Sequence, residues 1–128
     1  MRLLIDTHVA LWAITDDPRL SLEARGLLLA PGTRISVSSA SVWEIAIKRA
    51  LGKGDIPMGP HDAVEAFRKS GFDELAISSA HARRVFALPP IHADPFDRML
   101  VAQALEEPLV LVTHDPKVAA YSDTIRLV

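Results

Sequence analysis

Short apolar runs alternate along this chain with longer stretches whose apolar positions recur at helical spacing, and polar turn residues separate the two kinds. Leu3-Leu4-Ile5 predicts a strand ending at Asp6-Thr7-His8, and Val9 to Ile14 predicts a buried helix closed by Thr15-Asp16-Asp17-Pro18. Ser21 to Leu29 reads as a helix with a capping serine in front and Pro31-Gly32 behind. Arg34-Ile35-Ser36-Val37 is a second strand. The serines Ser38, Ser39 and Ser41 then lead into a helix over Val42 to Leu51, ending at Gly52 or Gly54.

Pro57 to Pro60 is a connector, His61 to Ser70 a helix, Leu75-Ala76-Ile77 a strand, and Ser79 to Ala87 a helix stopped by Leu88-Pro89-Pro90. Asp94 stands where an N-cap belongs and Pro95 at the first position of a helix running to Leu105. Leu109-Val110-Leu111-Val112 is the continuous apolar run of a strand covered on both faces. A polar turn, Thr113-His114-Asp115-Pro116, follows it, and Thr124 to Val128 makes a last strand. This alternation predicts an α/β fold with a mainly parallel sheet of about five strands flanked by helices. In open sheets of that class the functional crevice lies beyond the carboxyl ends of the strands.

Composition narrows the picture. The 128 residues suit a single domain spanning 1–128, and 49% hydrophobic with 23% charged residues is the balance of an ordinary globular chain. The absence of cysteine excludes disulfides, thiolate nucleophiles and Cys-ligated zinc, and it fits a cytoplasmic protein. No apolar stretch reaches the length of a membrane span, and the run after Met1 is too short for a signal peptide, so a soluble protein without membrane association is expected. The net charge of −2 supplies no general attraction for nucleic acid. Local clusters at Lys48-Arg49, Lys53 and Arg83-Arg84 offer a basic stripe, or simply solvated helix faces.

The acids are the candidates for chemistry. Asp6 ends the first strand, Glu44 lies in the first turn of the predicted helix after the second, Asp97 opens a later helix, and Asp115 follows the Leu109–Val112 strand. Carboxylates brought together at one sheet edge repel one another unless a cation neutralises them. All-oxygen donors suit Mg²⁺ or Mn²⁺ better than zinc. Such an ion acidifies its water and stabilises charge on phosphate oxygens, which is hydrolytic nuclease chemistry.

Each acid also has a plain structural role open to it. Glu44 fits the far end of a capping box, Ser41-Val42-Trp43-Glu44, and Asp94 and Asp97 have the same spacing. Asp115 fits a turn. Asp6, directly after a buried strand, is the hardest to place without a partner or ion. Thr7 and Thr113, beside acids, are secondary candidates for hydrogen bonds to a carboxylate or ligand water, or for caps. Arg98 stands four residues after Asp94, placed either to pair with it or to meet substrate phosphate. His8 and His92 read as hydrogen-bonding spacers, with contact to RNA or metal as the alternative.

Four blocks now stand in order: Asp6-Thr7-His8-Val9-Ala10-Leu11-Trp12, Ser38 to Lys48 around Trp43-Glu44-Ile45, His92-Ala93-Asp94-Pro95-Phe96-Asp97-Arg98 running to Ala102-Gln103-Ala104, and Val112-Thr113-His114-Asp115. Together they resemble the PIN-domain family, specifically the VapC-type toxins, over almost the whole chain. The resemblance implies a PIN-like three-layer fold in which Asp6, Glu44, Asp97 and Asp115 match the family's acids and would hold Mg²⁺ or Mn²⁺. It further implies RNA cleavage, homodimerisation, and inhibition by a cognate antitoxin whose segment enters the acidic groove. In a dimer, Lys48, Arg49 and Lys53 would line an RNA groove. The family often carries Arg where this chain has His114.

Other acidic α/β sites fit less well. A phosphatase of the haloacid-dehalogenase kind needs a second Asp two residues after the first, and that position is His8. A receiver-like phosphoacceptor needs an Asp after a central strand, and no residue after Leu75-Ala76-Ile77 serves. A PIN-like chain that keeps its acids but acts as a binding partner remains a third reading.

Overall fold

A computed structural model describes residues 1–128. In chain order the elements are β1 (Arg2–Ile5), α1 (Thr7–Thr15), α2 (Leu22–Leu29), β2 (Arg34–Ser38), α3 (Ser39–Leu51), α4 (Pro60–Lys69), β3 (Asp73–Leu75), α5 (Ser79–Phe86), α6 (Pro95–Glu106), β4 (Val110–Thr113), α7 (Pro116–Ala119) and β5 (Arg126–Leu127). The five strands form one sheet in the order β3-β2-β1-β4-β5, and every neighbouring pair is parallel. The expected mainly parallel sheet is thus wholly parallel.

The period of two along β1 divides the core. Leu3 and Ile5 point to one face with Val9, Trp12, Ala24, Ala63 and Phe67, so α1, α2 and α4 cover that side. Leu4 points to the other face, where it meets Leu100, Val101, Leu111 and Val118 of α6, β4 and α7. Both faces are covered, which is why the strands read as unbroken apolar runs. No helix is long and apolar enough to cross a membrane.

Three of the differences from the sequence expectation have a clear local cause; the last strand also shrinks, to Arg126–Leu127. Helix α3 begins at Ser39, without a serine linker, because Ser38 ends β2 and at once caps the helix by accepting from Ala40 N at 3.0 Å. Strand β3 is Asp73–Leu75, displaced from the apolar Leu75–Ile77. It is a sheet edge, where Asp73 pairs with Arg34 across the strands at 2.8 Å and no second covered face demands apolar residues. The turn after β4 continues into α7, for which Asp115 is the N-cap and Pro116 the first residue.

Strand order places the crevice. From β1 the chain moves outward on one side to β2 and β3, and on the other side to β4 and β5, so the carboxyl ends of β1 and β4 flank a topological switch point. Asp6 and Thr113 stand there.

Candidate metal centre

Asp6 leaves β1 in extended conformation and becomes the N-cap of α1, its Oδ1 accepting from Val9 N at 2.8 Å. Capping occupies only one oxygen. Oδ2 faces β4, where it accepts from Thr113 Oγ1 at 2.6 Å and from His114 N at 3.3 Å. Burial pushes the Asp6 carboxyl above its ordinary range despite these donors. Thr113, fully buried, also accepts from Asp115 N at 3.1 Å and so joins the turn carrying Asp115 to Asp6.

Glu44 lies in the second turn of α3, because that helix starts earlier than its apolar pattern suggests. The capping box with Ser41 therefore does not form; Ser38 is the cap and Ser41 sits inside the helix. Glu44 is buried, and Thr7 Oγ1 lies 2.6 Å from its Oε1 and 2.8 Å from Ser41 Oγ. Its other oxygen pairs with Lys48 one turn on, and the Lys48 ammonium stands 4.0 Å from Asp94 Oδ2. Burial works against the charge of Lys48, but Glu44, Asp94 and Asp97 outweigh it and hold the ammonium above its usual range.

Asp94 is the N-cap of α6, as its sequence position implies, accepting from Phe96 N at 2.8 Å and Asp97 N at 3.3 Å. Asp97, in the first turn, points into the same space. Its carboxyl is pushed up to about 7, by burial first and then by the charges of Asp94, Glu44 and Asp6. His92 Nε2 lies 3.1 Å from Asp97 Oδ2 and 2.9 Å from Asp115 Oδ2, tying the last acid to the cluster. The ligating atoms of His92, Asp97 and Asp115 all fall within 4.8 Å of one another. Asp94 N donates to His92 Nδ1 at 3.4 Å, so Nε2 is the ring nitrogen that carries a proton towards Asp115, with Asp97 Oδ2 beside it.

The four acids singled out by spacing therefore line one open cavity of about 600 Å³, together with Asp94. Five carboxylates share it with one lysine, and Trp12, His8 and His114 form part of its wall. The donor set fits a hard divalent cation: it is rich in oxygen, negatively overcharged even after Lys48, and contains an acid that its neighbours keep near neutral. Asp97 and Asp115, whose ligand atoms cluster with His92, could hold it, and Asp6 and Glu44 line the same cavity. Sequence reasoning reads Lys48 as part of a basic stripe and Ser41 as a cap; it does not foresee Lys48 as the partner of Glu44, Ser41 beside Thr7, or the bridging place of His92. The i,i+4 spacing of Glu44 and Lys48 is a visible signal for the first; nothing in the spacing of His92 marks it.

Arg98 does not pair with the Asp94 side chain. Its guanidinium turns from the acids and donates to Pro89 O and Tyr121 Oη, both at 2.9 Å, and to Val85 O at 3.2 Å. It thereby ties α6 to the end of α5 and the turn after it, adding a second donor to Val85 O and Pro89 O, which already accept from Leu88 N and Ile91 N. Arg98→Ala is expected to lower stability by about 1–3 kcal/mol, because it removes charged hydrogen bonds to part-buried carbonyls. Urea denaturation measures this; an unchanged midpoint would assign Arg98 elsewhere.

Residues 3–123 match the sequence family described as PIN domain. No curated protein matches the chain significantly. Solved structures with a similar fold include VapBC2 from Rickettsia felis bound to a DNA fragment from its promoter, with 19% identity, TM-score 0.69, and coverage of 100% of this chain and 98% of that one. A toxin–antitoxin complex from Klebsiella pneumoniae has 21% identity and TM-score 0.66 over 96% of this chain and 94% of that one. FitAcB from Neisseria gonorrhoeae has 18% identity and TM-score 0.65, over 98% and 96%.

Proposed function

The chain belongs to the PIN domain family, a family of nucleases, and on that premise we propose that it is a metal-dependent endoribonuclease serving as the toxin of a toxin–antitoxin pair. The observation that carries the reading is the convergence of Asp6, Glu44, Asp94, Asp97 and Asp115 on one cavity at the switch point of the sheet. The surroundings that oppose ionisation of Asp97 support the reading, because groups with displaced pKa values cluster at functional sites.

In this reading Asp6, Glu44 and Asp97 would hold Mg²⁺ or Mn²⁺, with Asp115 as a fourth, more exposed ligand. The ion supplies Lewis-acid charge and a more acidic water. The chain's own residues do the positioning. Thr113 fixes the Asp6 carboxylate, Thr7 fixes that of Glu44, and Asp94 caps the helix that presents Asp97. His92 keeps Asp115 beside Asp97. A phosphodiester would enter over the open side of the cavity, where hydrolysis would put the water's OH on phosphorus and its proton on the leaving oxygen as the P–O bond breaks.

The toxin role rests on the fold shared with the chains of toxin–antitoxin complexes, and it brings an antitoxin as partner, a homodimer as assembly and the cytoplasm as location. The test incubates purified protein, freed of any partner, with pooled RNAs and DNAs. RNA should shorten in Mg²⁺ or Mn²⁺ and stay intact in EDTA. A pool left intact in both metals refutes the nuclease reading and leaves a binding role.

A further inference from the structure

A cavity lined by five carboxylates repels the phosphates on either side of the one being cleaved, so cations must stand close by to seat the strand. Half of the fourteen Lys and Arg side chains are paired with carboxylates. Among those without a carboxylate partner, Arg98 is spent on carbonyls, whereas Arg49 and Lys53 share a second cleft at the end of α3.

That cleft has a volume of about 280 Å³ and is walled by Lys48, Arg49, Gly52, Lys53, Gly54 and Ile56. Lys48 lines both cavities, so the basic cleft and the acidic one meet at its side chain. The loop is built around this lysine. Gly52 caps α3 at φ 64° and Gly54 turns at φ 67°, and a Cβ on Gly54 would stand 3.4 Å from Lys48 Cδ. The loop thus closes on the lysine stem and leaves its ammonium at the seam. Arg49 is held by one nitrogen, Nη1 donating to Ile56 O at 2.8 Å, which orients the guanidinium and leaves donors free.

The geometry points to this cleft as an anion subsite for the backbone phosphate of single-stranded RNA next to the scissile one, with Arg49 and Lys53 as its contacts and Lys48 between the subsites. It rests on the ribonuclease reading for its ligand. It needs no second copy of the chain, because all three cations belong to one helix and its following loop. Arg49 and Lys53 would set affinity and register without reading bases.

The experiment is fluorescence anisotropy of a labelled single-stranded RNA dodecamer, titrated in EDTA at several salt concentrations with the wild type, Arg49→Glu/Lys53→Glu, and Arg49→Gln/Lys53→Gln. Lys69→Glu/Arg83→Glu, exposed and outside both cavities, is the control for net charge. The Glu pair is expected to bind at least tenfold more weakly than the wild type at low salt. Both cleft variants should show a salt dependence shallower by about 0.7 for each phosphate left without its cation, and the control a much smaller effect. Equal losses in cleft and control variants would reduce the effect to net charge and overturn the subsite. Unchanged RNA affinity with lost binding of polyglutamate would overturn it in favour of an acidic protein segment. Because the assay contains no divalent ion, it is independent of cleavage. A wild type that cleaves RNA, alongside cleft variants that bind RNA as tightly as it does, sinks the subsite alone and leaves the ribonuclease reading standing.

Discussion

Asp97→Asn is expected to make the metal-free protein more stable at pH 7 than the wild type. The folded state holds the Asp97 carboxyl near 7, against 3.8 for the free side chain. Between these values the unfolded chain gives up its proton first, so the stability contributed by this group is present at low pH and falls as the pH rises towards 7. A tenfold change in a carboxyl's acidity corresponds to about 1.4 kcal/mol, and the part-exposed position of Asp97 screens some of the total, leaving about 1–3 kcal/mol for the amide to recover. This amounts to several degrees in melting temperature for a domain of this size. The gain should shrink towards zero at pH 4, where wild-type Asp97 is itself neutral. Millimolar Mg²⁺ or Mn²⁺ should reverse the order, raising the wild-type midpoint with little effect on the variant. Thermal melts at several pH values, in EDTA and in metal, check both arms. A variant less stable than the wild type throughout would mean that the carboxylate is structural.

The larger effect is on cleavage. Asp6→Asn keeps an N-cap of nearly equal quality, so α1 and the sheet should stand. It also removes a charge from the centre of the acid cluster and replaces an oxygen that accepts from Thr113. A cation held there contributes several kcal/mol to the transition state. At about 1.4 kcal/mol per factor of ten, RNA cleavage should fall by about 10³-fold with the melting curve preserved. Asp115→Asn should cost less, of the order of tenfold, because Asp115 is more exposed and reaches the cluster through His92. Single-turnover rates on one RNA compare the two. Equal losses, or cleavage by Asp6→Asn at the wild-type rate, would refute the assignment of ligands.

Much of this arrangement is legible in the residues. Leu3, Leu4 and Ile5 are apolar without alternation because both faces of β1 are covered, and that marks a parallel sheet. Asp6 and Asp115 follow strands, where functional residues of such sheets belong. What stays hidden depends on distance along the chain or on edges. Nothing local shows that Thr7 meets Glu44, since the two are brought together by packing of α1 on α3. Strand β3 carries Asp73 and Glu74 because an edge does not need an apolar period, so its apolar neighbours draw the expectation two residues too far. Ser41 looks like the cap of α3 because its spacing to Glu44 fits a capping box, yet Ser38 is the cap and Ser41, inside the helix, meets Thr7. Arg98 looks like a partner for Asp94, but several charged hydrogen bonds, to Val85 O, Pro89 O and Tyr121 Oη, outweigh one helical ion pair.

Under the proposed function, this acidic cavity would hydrolyse RNA with water as the nucleophile. Cleavage of a defined single-stranded RNA in ¹⁸O-labelled water, under single-turnover conditions with Mn²⁺, tests it directly through the product ends. The expected result is one labelled oxygen on the terminal phosphate of the product, no 2′,3′-cyclic phosphate at any time, and no product in EDTA. A cyclic phosphate, or cleavage that persists without a divalent ion, would show that the 2′-hydroxyl attacks and that the carboxylate cluster is not the catalytic centre.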